Sequence, residues 1–250
     1  MRTARFLLLL LLRPAAGRPL SNARSAPPPT FIAHRGYSRN YPENTVGSIL
    51  EAVAHGAEWI EVDVRWTRDG EPVLSHDPIA EGATGLPTLR AAIESMADNR
   101  SKLYLHLKGG ELGDEAARTL IAICRSGGLL SRVRFNSGSF ATLRRLREAD
   151  AHVWLEYDLY DAKGLLWSNR PTVGDLRAIK DLAVRSVGTF SFKIDAAFVS
   201  DAHHHGLLVN ALVSAREMPF HVEKAAYLEM LTLDVDEIMT DEIGRYLSTL

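Results

Sequence analysis

The stretch Trp59–Asp77, WIEVDVRWTRDGEPVLSHD, decides how this chain is read. Its first half is a run of β-branched and aromatic residues, the composition of a strand. Glu61 and Asp63 stand two apart in that run, and on a strand residues i and i+2 leave the same face. Two carboxylates side by side repel, and each raises the other's pKa unless a cation lies between them. A metal is the simplest explanation for placing them together. Asp69-Gly70 then signals a turn, and the short run after it ends in His76-Asp77. That return brings a titratable imidazole back towards the carboxylates.

Outward from this stretch, strand-like and helix-like segments alternate. Before it, Phe31-Ile32-Ala33 is a short apolar strand ending in His34-Arg35-Gly36. A polar loop, Tyr37–Glu43, leads to Asn44 and Thr45, either of which can N-cap a helix running through Ala57. After it, Leu86–Ala97 reads as a helix, Lys102–Lys108 as the third strand, and Glu115–Gly127 as a helix capped by Gly127-Gly128. Strand four is Val133–Phe135 with helix Phe140–Ala149 behind it. Strand five is Val153–Tyr157, followed by a helix over Val173–Leu182. Phe190–Ile194 and Leu207–Val213 read as strands six and seven with Ser200–His205 between them. Glu223–Leu231 is helical, and Glu237-Ile238-Met239 is a last strand ending in Thr240-Asp241. Eight strands alternating with helices predict a parallel (β/α)₈ TIM barrel in a single domain. No Gly-rich fingerprint follows the first strand, which counts against a doubly wound nucleotide-binding sheet.

The barrel reading gathers the chemistry at one end, because catalytic groups in such barrels sit at the C-terminal ends of strands. His34 and Arg35 end strand one, Glu61 and Asp63 lie in strand two, and His106 and Lys108 end strand three. A buried set of that kind is costly unless it binds something charged. An arginine, a lysine and a metal together suit a phosphate.

Ahead of the barrel, MRTARFLLLLLLRP has the basic start and apolar run of a secretory signal, with an Arg-rich transit peptide as the competing reading. The apolar run from Phe6 to Leu12 is far shorter than the roughly 20 residues a membrane span needs. Arg13–Pro29 reads as a proline-ended linker, so residues 1–29 are leader and linker, and 30–250 the folded unit. Export to the periplasm or outside the cell is expected if the leader is a signal, and a cytoplasmic location otherwise. Removing the five arginines that precede Pro27 takes the formal net charge from −2 to −7. A basic face for nucleic acid is therefore not expected. Cys124 is the lone cysteine, so no intramolecular disulfide is possible; it lies in a helical run and reads as a small buried apolar residue.

One string of motifs spans nearly the whole chain from Phe31: His34-Arg35-Gly36, Pro42-Glu43-Asn44-Thr45, Gly56-Ala57, Glu61-x-Asp63-Val64, Thr67-x-Asp69-Gly70 and His76-Asp77. It continues through Pro87-Thr88-Leu89 and Leu107-Lys108 to the closing Val235–Asp241. This string resembles the glycerophosphodiester phosphodiesterase family. The resemblance implies a TIM barrel that cleaves phosphodiesters of small glycerophosphodiester substrates, a hydrolase of lipid metabolism. It implies that His34 and His76 act as general acid and base, and that Arg35 and Lys108 bind the phosphate. It further implies that Glu61 and Asp63 hold a divalent cation, Mg²⁺ or Ca²⁺. In that family the nucleophile is often the glycerol 2-hydroxyl, which gives a cyclic phosphate that water then opens. Only Pro78–Pro87 separates His76-Asp77 from the next helix, leaving no room for an insertion there, so an open site and a small headgroup are expected.

Two departures stand out. Where the family has a third metal-binding carboxylate, two before the lysine, this chain has His106, and an imidazole there makes Mn²⁺ or Zn²⁺ possible ions. Glu156 in strand five is a candidate for the missing carboxylate, with Tyr157 or Asp158 in its place if the register shifts. The aromatic-threonine pair usual on strand seven is replaced around Asn210-Ala211-Leu212. A phospholipase D-like lipid phosphodiesterase and a catalytically inactive barrel kept as a binding protein are the alternative readings. Lys193, ending strand six, is a further candidate for touching the phosphate, while His203-His204-His205 reads as a solvated helix face rather than a metal tract.

Overall fold

The computed structural model describes residues 27–159, 179–214 and 220–244. The order of elements is β1 (Thr30–Ala33), α1 (Val46–Ala54), β2 (Trp59–Trp66), β3 (Pro72–Leu74), α2 (Leu89–Ser95), β4 (Lys102–Leu107), α3 (Asp114–Ser126), β5 (Val133–Ser137), α4 (Phe140–Ala149) and β6 (Trp154–Asp158). Then come β7 (Ser186–Phe190), α5 (Ala196–His204), β8 (Leu208–Val213), α6 (Phe220–Thr232) and β9 (Glu237–Thr240). Eight of these strands are parallel neighbours in sequence order, and β1 pairs with both β2 and β9, so the sheet closes on itself. This is the (β/α)₈ barrel. The short strand β3 folds back antiparallel on β2 through the Asp69-Gly70 turn, where Gly70 has φ +85°.

Two apolar layers result from strand alternation. Outward-facing residues such as Ile60, Val62, Leu103, Leu105, Phe135 and Val187 are buried against the helices. The inward set is smaller and includes Ile32, Trp59, Tyr104, Leu212 and Met239. At the barrel's centre the packing turns polar. Arg134 on β5 donates to Glu156 Oε2 at 2.8 Å and bridges to Glu237, while its guanidinium lies 4.3 Å from the Trp59 ring and 4.6 Å from that of Trp154. Burial pushes the Glu237 carboxyl above its usual range, although Arg134 pulls the other way.

The helices begin where the sequence offers caps. Thr45, not Asn44, caps α1, in a reciprocal pair with Ser48; Thr88, Ser139 and Asp195 cap α2, α4 and α5. Cys124 is buried in α3, its thiol pushed up to about 12 by desolvation. Among the described residues no helix is long and apolar enough to cross a membrane.

One strand is not where the sequence pattern put it. Strand six was expected over Phe190–Ile194, but β7 runs Ser186–Phe190, and Ser191–Lys193 is a 3₁₀ turn. Ser186-Val187-Gly188-Thr189 lacks the bulk of a typical strand because Gly188 faces Glu156. A Cβ at Gly188 would stand 2.5 Å from Glu156 Oε1. The predicted helix over Val173–Leu182 lies largely outside the described residues, of which 179–181 are helical.

Candidate active site

The C-terminal ends of the strands surround a cavity of about 440 Å³ lined by His34, Arg35, His76, His106 and Lys108. Sequence reasoning named all five. Glu61 and Asp63 stand at its base, both buried. Parity along β2 aims them inward together, and β4 places His106 opposite Asp63 in register. His106 Nδ1 lies 3.6 Å from Asp63 Oδ1 and 3.8 Å from Glu61 Oε1, and the three side chains form a compact potential metal site. The other imidazole nitrogen, Nε2, is 3.0 Å from Asp158 Oδ2. A carboxylate on the far nitrogen fixes a histidine's tautomer and orientation for ligation.

Around this trio the chain arranges positive charge on one side. Asp63 Oδ1 is 3.3 Å from Lys108 Nζ, and its Oδ2 is 3.3 Å from Arg35 Nε. Burial would raise the Asp63 pKa, but Lys108, His106 and Arg35 outweigh it and hold the carboxyl well below its ordinary value. Glu61 goes the other way, raised by desolvation and by the charge of Asp63. Its Oε2 accepts the Arg35 backbone N–H at 2.8 Å, whereas Oε1 is buried without a hydrogen-bond partner. That orphan oxygen faces the centre of the trio. Two carboxylates and an imidazole oriented from behind therefore fit a divalent cation by their donor chemistry.

The turn after β1 is built to deliver these contacts. Arg35 (φ +56°) and Gly36 (φ +78°) are both left-handed, which aims both backbone N–H groups at Glu61. Gly36 is obligatory on a second count, since a Cβ there would stand 2.4 Å from Ser48 Oγ. Arg35 Nη1 also pairs with Glu43 at 3.1 Å, holding the guanidinium beside Asp63.

His34 and His76 differ in surroundings. His34 is buried, with Nδ1 2.7 Å from Asp241 Oδ1, and Asp241 is itself held by Ser38 and Ser214. Burial lowers the imidazole pKa, but the Asp241 bond and charge, with Glu61, carry it above the ordinary histidine value. His76 is half-buried, its Nδ1 2.9 Å from Asp77 Oδ1. Arg65 donates to the His76 carbonyl at 2.9 and 2.8 Å and so ties the returning segment to β2.

The structure does not bring every sequence candidate to the site. Glu156 is not part of the trio: its oxygens accept from Arg134, Ser186, Tyr104, Asn136 and Asn210 in the barrel interior. An inward carboxylate two residues short of the strand end meets the central arginine rather than the mouth. Asp158, at the strand end, is the one that reaches His106. Lys193 does not line the cavity, because it sits in the turn beyond β7. His203 pairs with Asp236 and His205 with a backbone carbonyl, so the histidine run makes no cluster.

Three supporting residues were missed, Asn44, Asp241 and Arg65, whereas Asp158 was already named as an alternative carboxylate. Asn44 (φ +55°) donates Nδ2 to Asp63 Oδ2 at 2.9 Å and accepts the Asp63 N–H at 2.8 Å, clamping the carboxylate. Asp241, Asp158 and Arg65 orient His34, His106 and His76 in turn. For Asp241 the signal was available: it follows the last strand, which must lie beside the first once a barrel closes.

A family model described as the glycerophosphoryl diester phosphodiesterase family matches residues 34–108, the segment that carries His34, Arg35, the carboxylate pair, His76, His106 and Lys108. A curated glycerophosphodiester phosphodiesterase from Caldanaerobacter subterraneus is 26% identical over 243 residues, covering 84% of this chain and 93% of its own. Over these segments the chain is similar to the glycerophosphodiester phosphodiesterases. The relatives and structural neighbours named here are themselves described as phosphodiesterases. Rat glycerophosphodiester phosphodiesterase 1 is 47% identical over 53 residues, 21% of this chain but 16% of that protein's length. Among solved structures, an Oleispira antarctica phosphodiesterase in complex with the product sn-glycerol-3-phosphate superimposes with TM-score 0.73 at 22% identity, covering 88% of this chain and 96% of its own. A Parabacteroides distasonis glycerophosphodiester phosphodiesterase gives 0.72 at 20%, covering 89% and 98%. These structural matches establish the shared barrel.

Proposed function

We propose that this barrel is a metal-dependent phosphodiester hydrolase that cleaves small glycerophosphodiesters to a glycerol phosphate and an alcohol. The observation that carries the reading is Glu61 Oε1, a buried carboxylate oxygen without a hydrogen-bond partner, set beside Asp63 and His106. Leaving such an atom unpaired costs about 1–3 kcal/mol or more. Glu61, Asp63 and His106 would hold Mg²⁺ or Ca²⁺, or Mn²⁺ or Zn²⁺ given the imidazole. When bound, such an ion offsets negative charge on a phosphoryl group. The relative that holds sn-glycerol-3-phosphate as product supports the substrate class.

The chain's own groups divide the remaining work. Arg35 and Lys108 present cationic donors to the phosphate. His34 has Nδ1 committed to Asp241 and a pKa raised above the ordinary histidine value, which favours the protonated ring and leaves Nε2–H as the acid. His76 is the base. In the first step His76 takes the proton of the glycerol 2-hydroxyl, whose oxygen forms a new bond to phosphorus. The bond from phosphorus to the leaving alcohol breaks, and His34 protonates that alkoxide. Water then opens the cyclic phosphate: His34 takes its proton and His76 returns one to the 2-oxygen.

The test is a phosphodiesterase assay on glycerophosphocholine with Mg²⁺, Ca²⁺, Mn²⁺ or Zn²⁺ in turn, and with chelator. Turnover that chelator abolishes is expected, and no turnover with any of the four ions would overturn the reading. We also place the protein outside the cytoplasm, on the strength of the basic, leucine-rich leader and the linker behind it. N-terminal sequencing of exported protein tests that placement.

A further inference from the structure

The floor of the cavity carries a group that neither the acid–base pair nor the metal trio uses. Asn210 on β8 is 2% exposed and lines the cavity. Its Nδ2 donates to Glu156 Oε1 at 3.0 Å, and its Oδ1 is buried without a hydrogen-bond partner. The amide orientation is set by chemistry. Glu156, bonded to Arg134 and Ser186 through Oε2 and to Tyr104 through Oε1, receives hydrogen bonds at both oxygens, so Asn210 must turn its nitrogen to it. The carbonyl oxygen is thus the unpartnered end of a side chain whose residue lines the cavity. Gly188, beside Asn210 in register, has no side chain, which leaves room for Glu156 Oε1 next to the Asn210 amide nitrogen.

We propose that Asn210 is a specificity-determining residue that accepts a hydrogen bond from a hydroxyl of the substrate, on the glycerol or on the leaving alcohol. The inference rests on the phosphodiesterase reading for its substrate class. A buried acceptor left unpaired penalises any ligand that lacks the matching donor, which is how a polar site rejects a deoxy analogue. The Glu156–Arg134 pair acts as a pedestal that fixes the amide before substrate arrives. The departure at strand seven thus places a polar reader on the cavity floor.

The experiment compares wild type with Asn210→Leu. Calorimetric binding is measured for sn-glycerol 3-phosphate, its two monodeoxy analogues (propane-1,2-diol 1-phosphate and propane-1,3-diol phosphate) and inorganic phosphate. Turnover of glycerophosphoglycerol is compared with that of glycerophosphocholine. Wild type should favour glycerol phosphate over one deoxy analogue by about tenfold. Asn210→Leu should lose that ratio while its affinity for inorganic phosphate stays unchanged, which assigns the glycerol hydroxyl. If the ratio between the two diesters collapses instead, the reader faces the leaving alcohol. Wild type indifferent both to the deoxy changes and to the alcohol overturns the proposal without any variant, and so do ratios equal in wild type and variant. The binding series needs no turnover. Discrimination in binding by a protein that hydrolyses nothing would therefore sustain Asn210 and sink the phosphodiesterase reading.

Discussion

Each of the three histidines at the mouth is fixed by a carboxylate, and what that carboxylate does differs by residue. His34 and His76 are the acid and base of the proposed reaction. His34→Ala and His76→Ala should each lower kcat by about 10²–10⁴-fold with the melting temperature little changed, and a loss below about tenfold would remove the residue from that role. Asp241 sets the pH at which His34 works. The imidazole's pKa is raised in the folded state, so the pairing stabilises the protein fully below the ordinary histidine value and is lost as pH rises through the raised one. Asp241→Asn should therefore move the activity limb governed by His34 to lower pH, and its cost in stability should be larger at pH 5 than at pH 9; an unmoved limb would mean that Asp241 does not tune His34. His106 was legible as an oddity in the sequence, and the structure puts it beside Glu61 and Asp63. His106→Glu adds a hard, negative donor and should raise affinity for Ca²⁺ and Mg²⁺ relative to Mn²⁺ in a metal titration. An unchanged order of preference would show that His106 is not a ligand.

At the scale of elements, the first half was legible because its turns and caps carry their own chemistry. The Asp69-Gly70 turn, the Thr45 cap and the alternating carboxylates of β2 each specify one local geometry. What the sequence hid is residues whose identity depends on a partner far along the chain. Asn44 looks like a cap and is a clamp on Asp63; Gly188 looks like a strand breaker and is the gap that admits Glu156. The misplaced strand six follows from that glycine. Gly188→Ala puts a methyl 2.5 Å from Glu156 Oε1, so Glu156 or the strand must shift. Overpacking of this sort costs about 1–3 kcal/mol. A lower midpoint in urea is expected, with weakened glycerol phosphate binding as the Asn210 amide loses its acceptor. Wild-type stability in this variant would mean that β7 has slack the packing does not show.

Over the whole molecule, closure of the barrel makes the first and last strands neighbours, and one arginine holds its centre. Strand alternation predicts which residues point inward, but not that Arg134, Glu156 and Glu237, from three strands, meet there. Arg134 is fully buried and faces two carboxylates, so removing it leaves both without their cation. Breaking a buried pair by deleting one partner costs about 3–5 kcal/mol, mostly for the charge left behind. Arg134→Met should pay that at neutral pH, read from denaturant unfolding. The pH dependence separates this cause from lost packing. Glu237 already holds its proton to a higher pH than a free carboxyl because it is buried. A carboxyl with a raised folded pKa destabilises the protein as pH climbs through that value, and acid relieves it. Without Arg134 the carboxyl rises further, so the deficit of Arg134→Met should shrink as pH falls towards 5, and Glu237→Gln in the same chain should restore part of it at pH 7. A deficit that is flat across that range would assign the loss to the cavity between Trp59 and Trp154 and not to stranded charge.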